Sequence, residues 1–309
     1  MNKNYNRVCF AVGTGRCGTF FLHKIMSKEP RVASCHERNI FNECFHRYCQ
    51  WHKLPIDDQA FLYQKRIEIF KDLESADFSF ESSAPLTLSI PTLFNEFNCK
   101  FILILRTPEK VINSYISKQW YANKIHLKNY SLAPGFHSGH RNTHHFFSRI
   151  SPLGNEFIEW NNMGQVGKLA WFWRVINLTA INMLNELPKQ QWRVVRLEDM
   201  DYDKYCDIAE FIGYKPFVKK NIYEEIVKKK PNKRDNQTTV ADWSQDDIED
   251  FKKYIDKDLC SIFNYHIDID QIKRNSDVSV VKELNRFEKV KIRIRRTIKA
   301  AKLAYNKEI

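Results

Sequence analysis

A glycine-rich segment, residues 13–19 (GTGRCGT), separates an apolar run at 8–12 from a helix-like stretch that begins at Phe20. This order predicts a strand, a tight turn and a helix start. Such a turn directs backbone N–H groups inward and the helix dipole adds positive potential, so a phosphate can be held with little side-chain help. Nucleotide kinases place a lysine after the second glycine, whereas Thr19 stands there and Arg16 is the strong cation. The segment therefore predicts a phosphate-binding loop that suits ATP poorly, with an ordinary glycine-rich connection as the alternative.

A second segment places an arginine where a buried strand ends. The apolar run 101–105 stops at Arg106, and Thr107 and Pro108 are typical of the N-cap and the first position of a helix. Ser114 lies about two turns into that helix, so Arg106 and Ser114 can both reach one small anion beside the strand end. Ligands bind at this edge of open parallel sheets. The alternative is a surface charge followed by a tolerated polar residue.

The two segments together resemble the sulfotransferases that use 3′-phosphoadenosine-5′-phosphosulfate (PAPS), and the carbohydrate-modifying, Golgi-type and bacterial members more than the cytosolic phenol-type members. The resemblance implies that the first loop holds the 5′-phosphosulfate, with Arg16 bridging the leaving phosphate and the sulfuryl group. It also implies that Arg106 and Ser114 hold the 3′-phosphate. Phe20 departs from the pattern, since many members have a second hydroxyl group there. The donor-binding residues implied in these segments are Gly13, Thr14, Gly15, Arg16, Cys17, Gly18, Thr19, Phe20, Phe21, Arg106 and Ser114.

A later segment loosely resembles the family's loop that closes over the nucleotide. Lys233 or Arg234 would bind the 3′-phosphate there, with a solvated basic turn as the alternative. Asn236 stands where the family usually has glycine, although asparagine also tolerates positive φ. Trp243 matches the tryptophan that follows this loop, after a longer interval than in cytosolic members.

Five candidate strands alternate with helical stretches, which predicts parallel βαβ units covered by helices on both faces. The expected fold is α/β: a three-layer sandwich with a mostly parallel sheet of about five strands and a P-loop-like phosphate-binding loop. Residues 166–187 carry apolar residues at helical spacing, so their aromatic side chains should belong to the core. We expect a catalytic domain over 1–270 and a C-terminal tail over 271–309. The candidate strands are 8–12, 31–34, 78–81, 101–105 and 193–197.

A hydroxyl acceptor needs a base, because it is a weak nucleophile until its proton is removed. The second candidate strand leads into residues 35–38, which delivers His36 and Glu37 to the same sheet edge as the loop. Carbohydrate- and protein-modifying relatives are similar in having a glutamate base near this strand end. Glu37 is therefore the favoured base and His36 the second choice, with ordinary salt bridges as the alternative. Ser83 and Pro85 resemble a turn that relatives place beside the acceptor, although a lysine common there is missing.

The implied chemistry is in-line transfer of a sulfuryl group from PAPS to an acceptor hydroxyl, which releases adenosine 3′,5′-bisphosphate (PAP). Arg16 and the loop would stabilise the developing charge, so no metal is expected. Cys44, His46, Cys49 and His52 are close in sequence but do not follow a zinc-site spacing. Two rival functions stay open: a P-loop, kinase-like phosphotransferase, and a non-catalytic membrane-associated nucleotide-binding protein.

The chain of 309 residues carries 49 Lys and Arg against 37 Asp and Glu, a net charge of +12 that suits anionic partners without selecting one. The basic tail stretch 286–305 predicts an amphipathic helix, or a strand in part, that docks on the domain or lies on an anionic membrane surface. The expected acceptor is a carbohydrate, a glycolipid or another hydroxyl compound, and a nucleic acid is not favoured. Without a signal segment or a membrane-spanning run, we expect a cytoplasmic enzyme with reduced thiols, peripheral at the inner membrane face if the tail binds lipid.

Overall fold

The computed structural model describes residues 6–134, 149–228 and 238–276. The predicted 3′-phosphate ligands Lys233 and Arg234 and the basic stretch 286–305 lie outside these ranges. In the part of the chain that is described, the helices include none with the length and apolarity that a bilayer crossing needs.

Five strands form a single sheet in which every neighbouring pair is parallel, as the sequence predicts. The strand order is β2-β3-β1-β4-β5. The strands are β1 (Val8–Gly13), β2 (Val32–His36), β3 (Phe78–Ser82), β4 (Lys100–Leu105) and β5 (Trp192–Arg196).

Helices cover both faces of this sheet because alternate strand residues point to opposite sides. Val8, Phe10 and Val12 of β1 belong to the larger core cluster, whereas Cys9 and Ala11 belong to the smaller one. The described helices are α1 (Thr19–Met26), α2 (Ile40–His52), α3 (Gln59–Ser75), α4 (Ile90–Phe97), α5 (Pro108–Ile116), α6 (Asn155–Asn162), α7 (Gln165–Asn185), α8 (Tyr202–Ile212), α9 (Lys220–Lys228), α10 (Gln245–Tyr254) and α11 (Lys257–Ile262), with 3-10 turns at Pro85–Ser89, Lys189–Gln191, Leu197–Asp199 and Val240–Asp242.

Helix α7 runs through the larger core, and its aromatic side chains are core residues as predicted. Phe172 and Trp173 are both 0% exposed. Ile269, near the end of the described chain, is buried in the same cluster. The division between a catalytic domain and a tail at residue 270 stays a prediction.

Strand β2 extends two residues further than the predicted 31–34. Its last residue, His36, is still paired with Ser82 of β3. The extension matters for function because it makes His36 part of the sheet, so that the turn toward α2 begins at Glu37.

Strand β1 lies at a topological switch point. It has β3 on one side and β4 on the other, because the chain first builds the β3 side and then crosses to the β4 side. In open α/β sheets, ligands bind in the crevice at the carboxyl ends of strands at such a point. The predicted site segments that the structure describes all follow these ends: the loop at 13–18, Glu37, Ser83 and Arg106.

Candidate active site

The loop between β1 and α1 has a backbone conformation that glycine favours. Gly15 has a φ of +80° and Gly18 a φ of +112°. A Cβ atom at Gly15 would collide with the Tyr115 hydroxyl, and one at Gly18 would lie 2.7 Å from a methyl carbon of Leu197. Arg16 also has positive φ, at 56°, which residues with side chains rarely adopt. Backbone strain of this kind persists where the surroundings over-determine a loop, as they do at ligand-binding turns.

Two side chains from distant parts of the chain fix the loop backbone. The Tyr115 hydroxyl of α5 donates to the carbonyl oxygen of Thr14 at 2.6 Å. On the other side, the N–H of Gly13 donates to Thr87 Oγ1 at 3.0 Å. These contacts hold the turn in one shape, which is what a preorganised anion-binding loop requires.

Cys17 lies beneath the loop as a buried thiol. Its side chain is 0% exposed, and burial raises the pKa of the thiol, although backbone groups of Gly15 and Thr19 that hydrogen-bond its sulfur oppose the shift. A neutral, buried thiol is a poor nucleophile. Cys17 therefore supplies packing under the loop rather than reactive chemistry.

Arg16, Arg106 and Ser114 come together at the carboxyl edge of the sheet. Arg16 Nε donates to Ser114 Oγ at 2.9 Å, across 98 positions of sequence. Arg106 Nη1 donates to the carbonyl oxygen of Arg16 at 3.0 Å. The two segments singled out in the sequence are thus in direct contact, and they place two guanidinium groups beside the glycine-rich loop.

The backbone of Arg106 is held by a side chain of α7. Trp173 Nε1 donates to the carbonyl oxygen of Arg106 at 3.0 Å. Burial lowers the pKa of the Arg106 guanidinium, and Arg16 adds to this effect, while Glu198 opposes it. Two cations that repel each other in a desolvated position make a site suited to anions.

Thr107 differs in detail from its expected role as a helix cap. Its side chain accepts no hydrogen bond from the first turn of α5. Instead, Thr107 Oγ1 lies 2.5 Å from Glu109 Oε1, and the Thr107 N–H donates to Glu198 Oε1 at 3.1 Å. Because Glu198 also accepts from the Tyr265 hydroxyl at 3.0 Å, it serves as a structural link between the end of β5 and the start of α5.

His36 and Glu37 lie side by side where β2 ends. His36 Nδ1 is 2.8 Å from the carbonyl oxygen of Ser82, and since a carbonyl only accepts, this nitrogen carries the hydrogen. In the neutral form of the ring the lone pair is therefore on Nε2, which lies 4.0 Å from Glu37 Oε1. Glu37 turns sharply out of the strand with a φ of 47°.

The pKa of Glu37 depends on burial and on nearby charges, including that of Arg16 in the loop. Burial raises the pKa of its carboxyl group, and Glu43 raises it further, whereas His36, Arg16 and Arg47 lower it. The net direction is upward. A carboxyl group whose pKa is raised toward neutrality is better suited to accept a proton at physiological pH than an ordinary glutamate.

The family model described as "Sulfotransferase domain" matches residues 7–287. The chain belongs to the sulfotransferase family. No curated protein matches it significantly. Among solved structures it is similar to a sulfotransferase domain from the curacin biosynthetic pathway, with 12% identity and a TM-score of 0.46 over 84% of this chain and 98% of that chain. A sulfotransferase domain of the Synechococcus PCC 7002 olefin synthase is 13% identical, with a TM-score of 0.44 over 84% of this chain and 95% of that chain. Mouse sulfotransferase SULT7A1, solved with PAP, is 15% identical, with a TM-score of 0.40 over 90% of this chain and 88% of that chain.

Phe20 and Phe21 of this sulfotransferase point in different directions. Phe20 packs edge-on against His36, with ring centroids 5.3 Å apart, so an aromatic contact stands where many members have a second hydroxyl. Phe21 packs against Tyr223 on the other side of α1, at 6.3 Å. Phe20 therefore links the first turn of α1 to His36, the second-choice base, whereas the side chain of Phe21 packs against the smaller core.

The predicted acceptor contacts Ser83 and Pro85 are buried in the structure. Ser83 is 0% exposed and its hydroxyl donates to Glu43 Oε2 at 2.5 Å. Pro85 begins the 3-10 turn Pro85–Ser89. In this arrangement Ser83 positions the turn after β3, and its contact with an acceptor stays a prediction.

A buried cluster beneath this turn was missed by the motif analysis. Lys65 of α3, 1% exposed, lies within 2.9 Å of carboxylate oxygens of Glu43, Glu68 and Glu81. Glu43 accepts from the N–H of Asn39, and Glu81 from the N–H of Arg38. The sequence signal was Lys65 itself, a cation in the apolar stripe of α3.

Two carboxyl groups of the cluster differ in the direction of their pKa shifts. Burial raises the pKa of Glu81 to about 8, and the nearby charge of Glu43 adds to this, although Lys65 opposes it. Burial acts on Glu43 in the same direction, but Lys65 and hydrogen bonds from Glu81 and Ser83 outweigh it and lower its pKa. The pKa of Glu81 is therefore raised and that of Glu43 lowered, although both carboxyl groups contact the same lysine.

The cysteine and histidine group on α2 has structural partners. His46 Nδ1 lies 2.7 Å from Ser89 Oγ, and its Nε2 lies 3.1 Å from Asp58 Oδ1. Within the described ranges, no group of three or more His, Cys, Asp or Glu residues is arranged to hold a metal ion.

Proposed function

We propose that this sulfotransferase uses PAPS as the sulfuryl donor and transfers the group by in-line displacement to a hydroxyl of a carbohydrate or glycolipid. The enzyme class follows from the family. The donor, the residue roles and the kind of acceptor are the proposal.

One observation carries the choice of donor: Arg106 and Ser114 both contact Arg16 of the glycine-rich loop. PAPS carries a phosphosulfate at one end and a 3′-phosphate nearby, so it needs cations at two neighbouring points. A P-loop phosphotransferase instead requires a loop lysine and an acidic residue for magnesium. Arg106 stands at the end of β4, which favours an anionic nucleotide held without a metal.

The residue roles follow from this placement. The acceptor oxygen forms a bond to sulfur while the bond from sulfur to the bridging oxygen of PAP breaks, and the acceptor proton passes to Glu37. Negative charge grows on the bridging and equatorial oxygens, where Arg16 and the amides of the loop would stabilise it. His36 remains the alternative base, because its Nε2 lies 4.0 Å from Glu37 Oε1.

Two measurements test the proposed function. Calorimetry should show binding of PAP and much weaker binding of ATP with magnesium, and radiolabel should pass from PAPS to acceptors in a panel of sugars, glycolipids and phenols. Tighter binding of ATP with magnesium would favour the phosphotransferase. Binding of PAP without label transfer to any acceptor would favour a nucleotide-binding protein without catalysis.

Replacing Arg106 with alanine should weaken PAP binding about 10- to 100-fold, because a charge-assisted hydrogen bond contributes about 1.5–3 kcal/mol. The value of kcat at saturating PAPS should change little, since the 3′-phosphate is not a reacting group. Calorimetry of PAP and steady-state kinetics measure the two quantities. Lys110→Ala is the matched control, because it removes a charge from the first turn of α5 that forms a long ion pair, at 3.8 Å, with Glu198. Equal effects of the two variants would contradict the role of Arg106.

Replacing Glu37 with glutamine should lower kcat/KM about 100-fold, the lower end of what a general base contributes. In the wild type, activity should rise with pH as Glu37 loses its proton, and the midpoint should lie above the ordinary glutamate pKa because burial raises it. This acid limb should vanish in Glu37→Gln. The pH profile of kcat/KM measures it, with His36→Gln as the comparison. Loss of the limb in His36→Gln, with its retention in Glu37→Gln, would transfer the role to His36.

The proposal includes the kind of acceptor and contact with an anionic membrane. A carbohydrate or glycolipid is supported by the resemblance to carbohydrate-modifying members, and the basic composition of 286–305 supports contact with an anionic membrane. Vesicles containing anionic lipid should pellet the full chain and should fail to pellet a chain that lacks residues 280–309. Equal pelleting of both chains would remove the membrane from the proposal.

A further inference from the structure

Arg47 is a buried guanidinium with an unused hydrogen-bonding edge. It lies on α2, is 1% exposed, and donates one hydrogen bond, from Nη1 to the carbonyl oxygen of Ala84 at 3.3 Å. Among the described residues, Nε and Nη2 have no hydrogen-bond partner. These two nitrogens point their N–H groups in the same direction, which is the edge that grips a carboxylate, phosphate or sulfate with two parallel bonds.

A structural role does not explain this arrangement. A buried charged donor without a partner destabilises a fold, and proteins rarely keep one that has no use. The guanidinium does lie over the ring of Phe172, 5.6 Å from its centroid. That contact leaves the in-plane N–H groups of the free edge unsatisfied.

Arg47 lies next to the proposed transfer point. Its partner Ala84 approaches the glycine-rich loop so closely that the Ala84 Cβ would be 3.3 Å from a Cβ at Gly15. Its charge also lowers the pKa of Glu37, the proposed base, whereas burial raises it. The free edge is therefore within reach of a molecule whose hydroxyl is being activated there.

A second buried cation shares a neighbour with Arg47. A second buried guanidinium, Arg149, lies 4.5 Å from the Trp120 ring centroid, and both arginine charges act on the same tyrosine, Tyr121. The sequence from 110 to 155 contains no Asp or Glu. Its Lys and Arg residues are at positions 110, 118, 124, 128, 141 and 149. In sequence, this stretch supplies cations and no carboxylates.

We propose that the Nε and Nη2 edge of Arg47 binds an oxyanion of the acceptor, so that this sulfotransferase acts on a hydroxyl compound that already carries a carboxylate or phosphate group. This inference rests on the proposed function and narrows its acceptor. A uronic acid and a phosphorylated sugar or lipid headgroup share this chemistry. Arg47 would select the acceptor by charge and orient its hydroxyl toward Glu37.

The test compares charged and neutral probes on the enzyme saturated with PAP. Methyl glucuronoside and glucose 1-phosphate carry the two candidate oxyanions, and methyl glucoside is the neutral counterpart. Calorimetry should give at least tenfold tighter binding for one or both charged probes than for the neutral one. The charged probe that binds more tightly shows whether the oxyanion is a carboxylate or a phosphate. Absence of any charge preference in the wild-type enzyme would overturn the inference.

Arg47→Met and Arg31→Met are the matched variants. Arg31 precedes β2, at the opposite edge of the sheet, and pairs with Asp77 at 2.5 Å. Arg47→Met should abolish the preference for charged probes and leave binding of PAP within about twofold, while Arg31→Met should keep both. If Arg47→Met retains the preference for charged probes, the inference is wrong. It is also wrong if the variant weakens the binding of PAP and of the neutral probe as much as the binding of the charged probes. Failure of PAP to bind the wild type would instead contradict the proposed function itself.

Thermal unfolding separates this role from a structural one. Because Arg47→Met removes an unpartnered buried cation, the melting temperature should stay unchanged or rise by about 2–4 °C. Replacing an arginine that stabilises the fold would instead lower the melting temperature. A fall of more than about 4 °C, with the charge preference retained at a lower temperature, would assign Arg47 to the fold and overturn the inference.

Discussion

Replacing Arg16 with alanine should lower kcat about 1,000-fold while changing the dissociation constant of PAP by less than about tenfold. Removing one preorganised group that stabilises transition-state charge typically has an effect of this size on kcat. Charge on the bridging oxygen develops only as the sulfuryl group leaves, so Arg16 should act more on the transition state than on the bound donor. Single-turnover kinetics with radiolabelled PAPS and calorimetry with PAP measure the two effects separately.

Arg16→Lys is the informative companion variant. It keeps the charge but loses the Nε donor that contacts Ser114 at 2.9 Å, so it should recover part of the lost kcat. Arg31→Ala, at the opposite edge of the sheet, controls for the change in net charge and should leave kcat unaltered. If Arg16→Ala weakens PAP binding as strongly as it lowers kcat, Arg16 binds the donor and does not act in the transfer step.

Replacing Lys65 with methionine should lower the free energy of unfolding by about 3–5 kcal/mol. Removing one partner of a buried ion pair has this effect because it leaves a buried charge uncompensated. Here the loss would strand the carboxyl groups of Glu43, Glu68 and Glu81, which lie within 2.9 Å of the lysine nitrogen. Denaturant unfolding of the variant and of the wild type measures the difference.

The Lys65 cluster also supports the proposed base. Glu43 and Glu81 accept hydrogen bonds from the N–H groups of Asn39 and Arg38, directly after Glu37. Lys65→Met should therefore lower activity even at temperatures where the variant remains folded.

Lys252→Met is the matched control for Lys65. Lys252 forms an exposed ion pair with Asp270 at 2.8 Å, and both side chains are nearly half exposed. Exposed pairs contribute about 0–1 kcal/mol, so this variant should unfold almost like the wild type. If Lys65→Met lowers the free energy of unfolding by less than about 1 kcal/mol, the carboxyl groups become protonated when the lysine is removed. The cluster would then contribute little stability.

Much of the fold was predictable because its signals are local. Apolar runs of five or six residues separated by helical patterns identify parallel strands, and all five lie within two residues of their predicted bounds. The glycine-rich loop was equally readable, since Gly15 and Gly18 occupy positions where the backbone has positive φ and close neighbours. The proposed donor site depends on these local signals and on the edge to which parallel strands deliver their ends.

Other parts of the site could not be read from the sequence because they depend on distant contacts. The Ser-Pro turn predicts an acceptor contact at Ser83, which stays a prediction, but nothing in the sequence indicates that the Ser83 hydroxyl donates to Glu43. Nothing in the pattern of α2 shows that Arg47 would face Ala84 and leave one edge without a partner.

The sequence by itself determined the parallel α/β fold, the glycine-rich turn after the first strand and the family, because these depend on spacing along the chain. Only the tertiary structure decided that Arg106 reaches the loop of Arg16, that Lys65 gathers three carboxyl groups, and that Arg47 is buried beside Glu37. The physical reason is that the energy of a charge depends on what surrounds it in space. Burial and partners are set by the packing of residues that lie tens of positions apart.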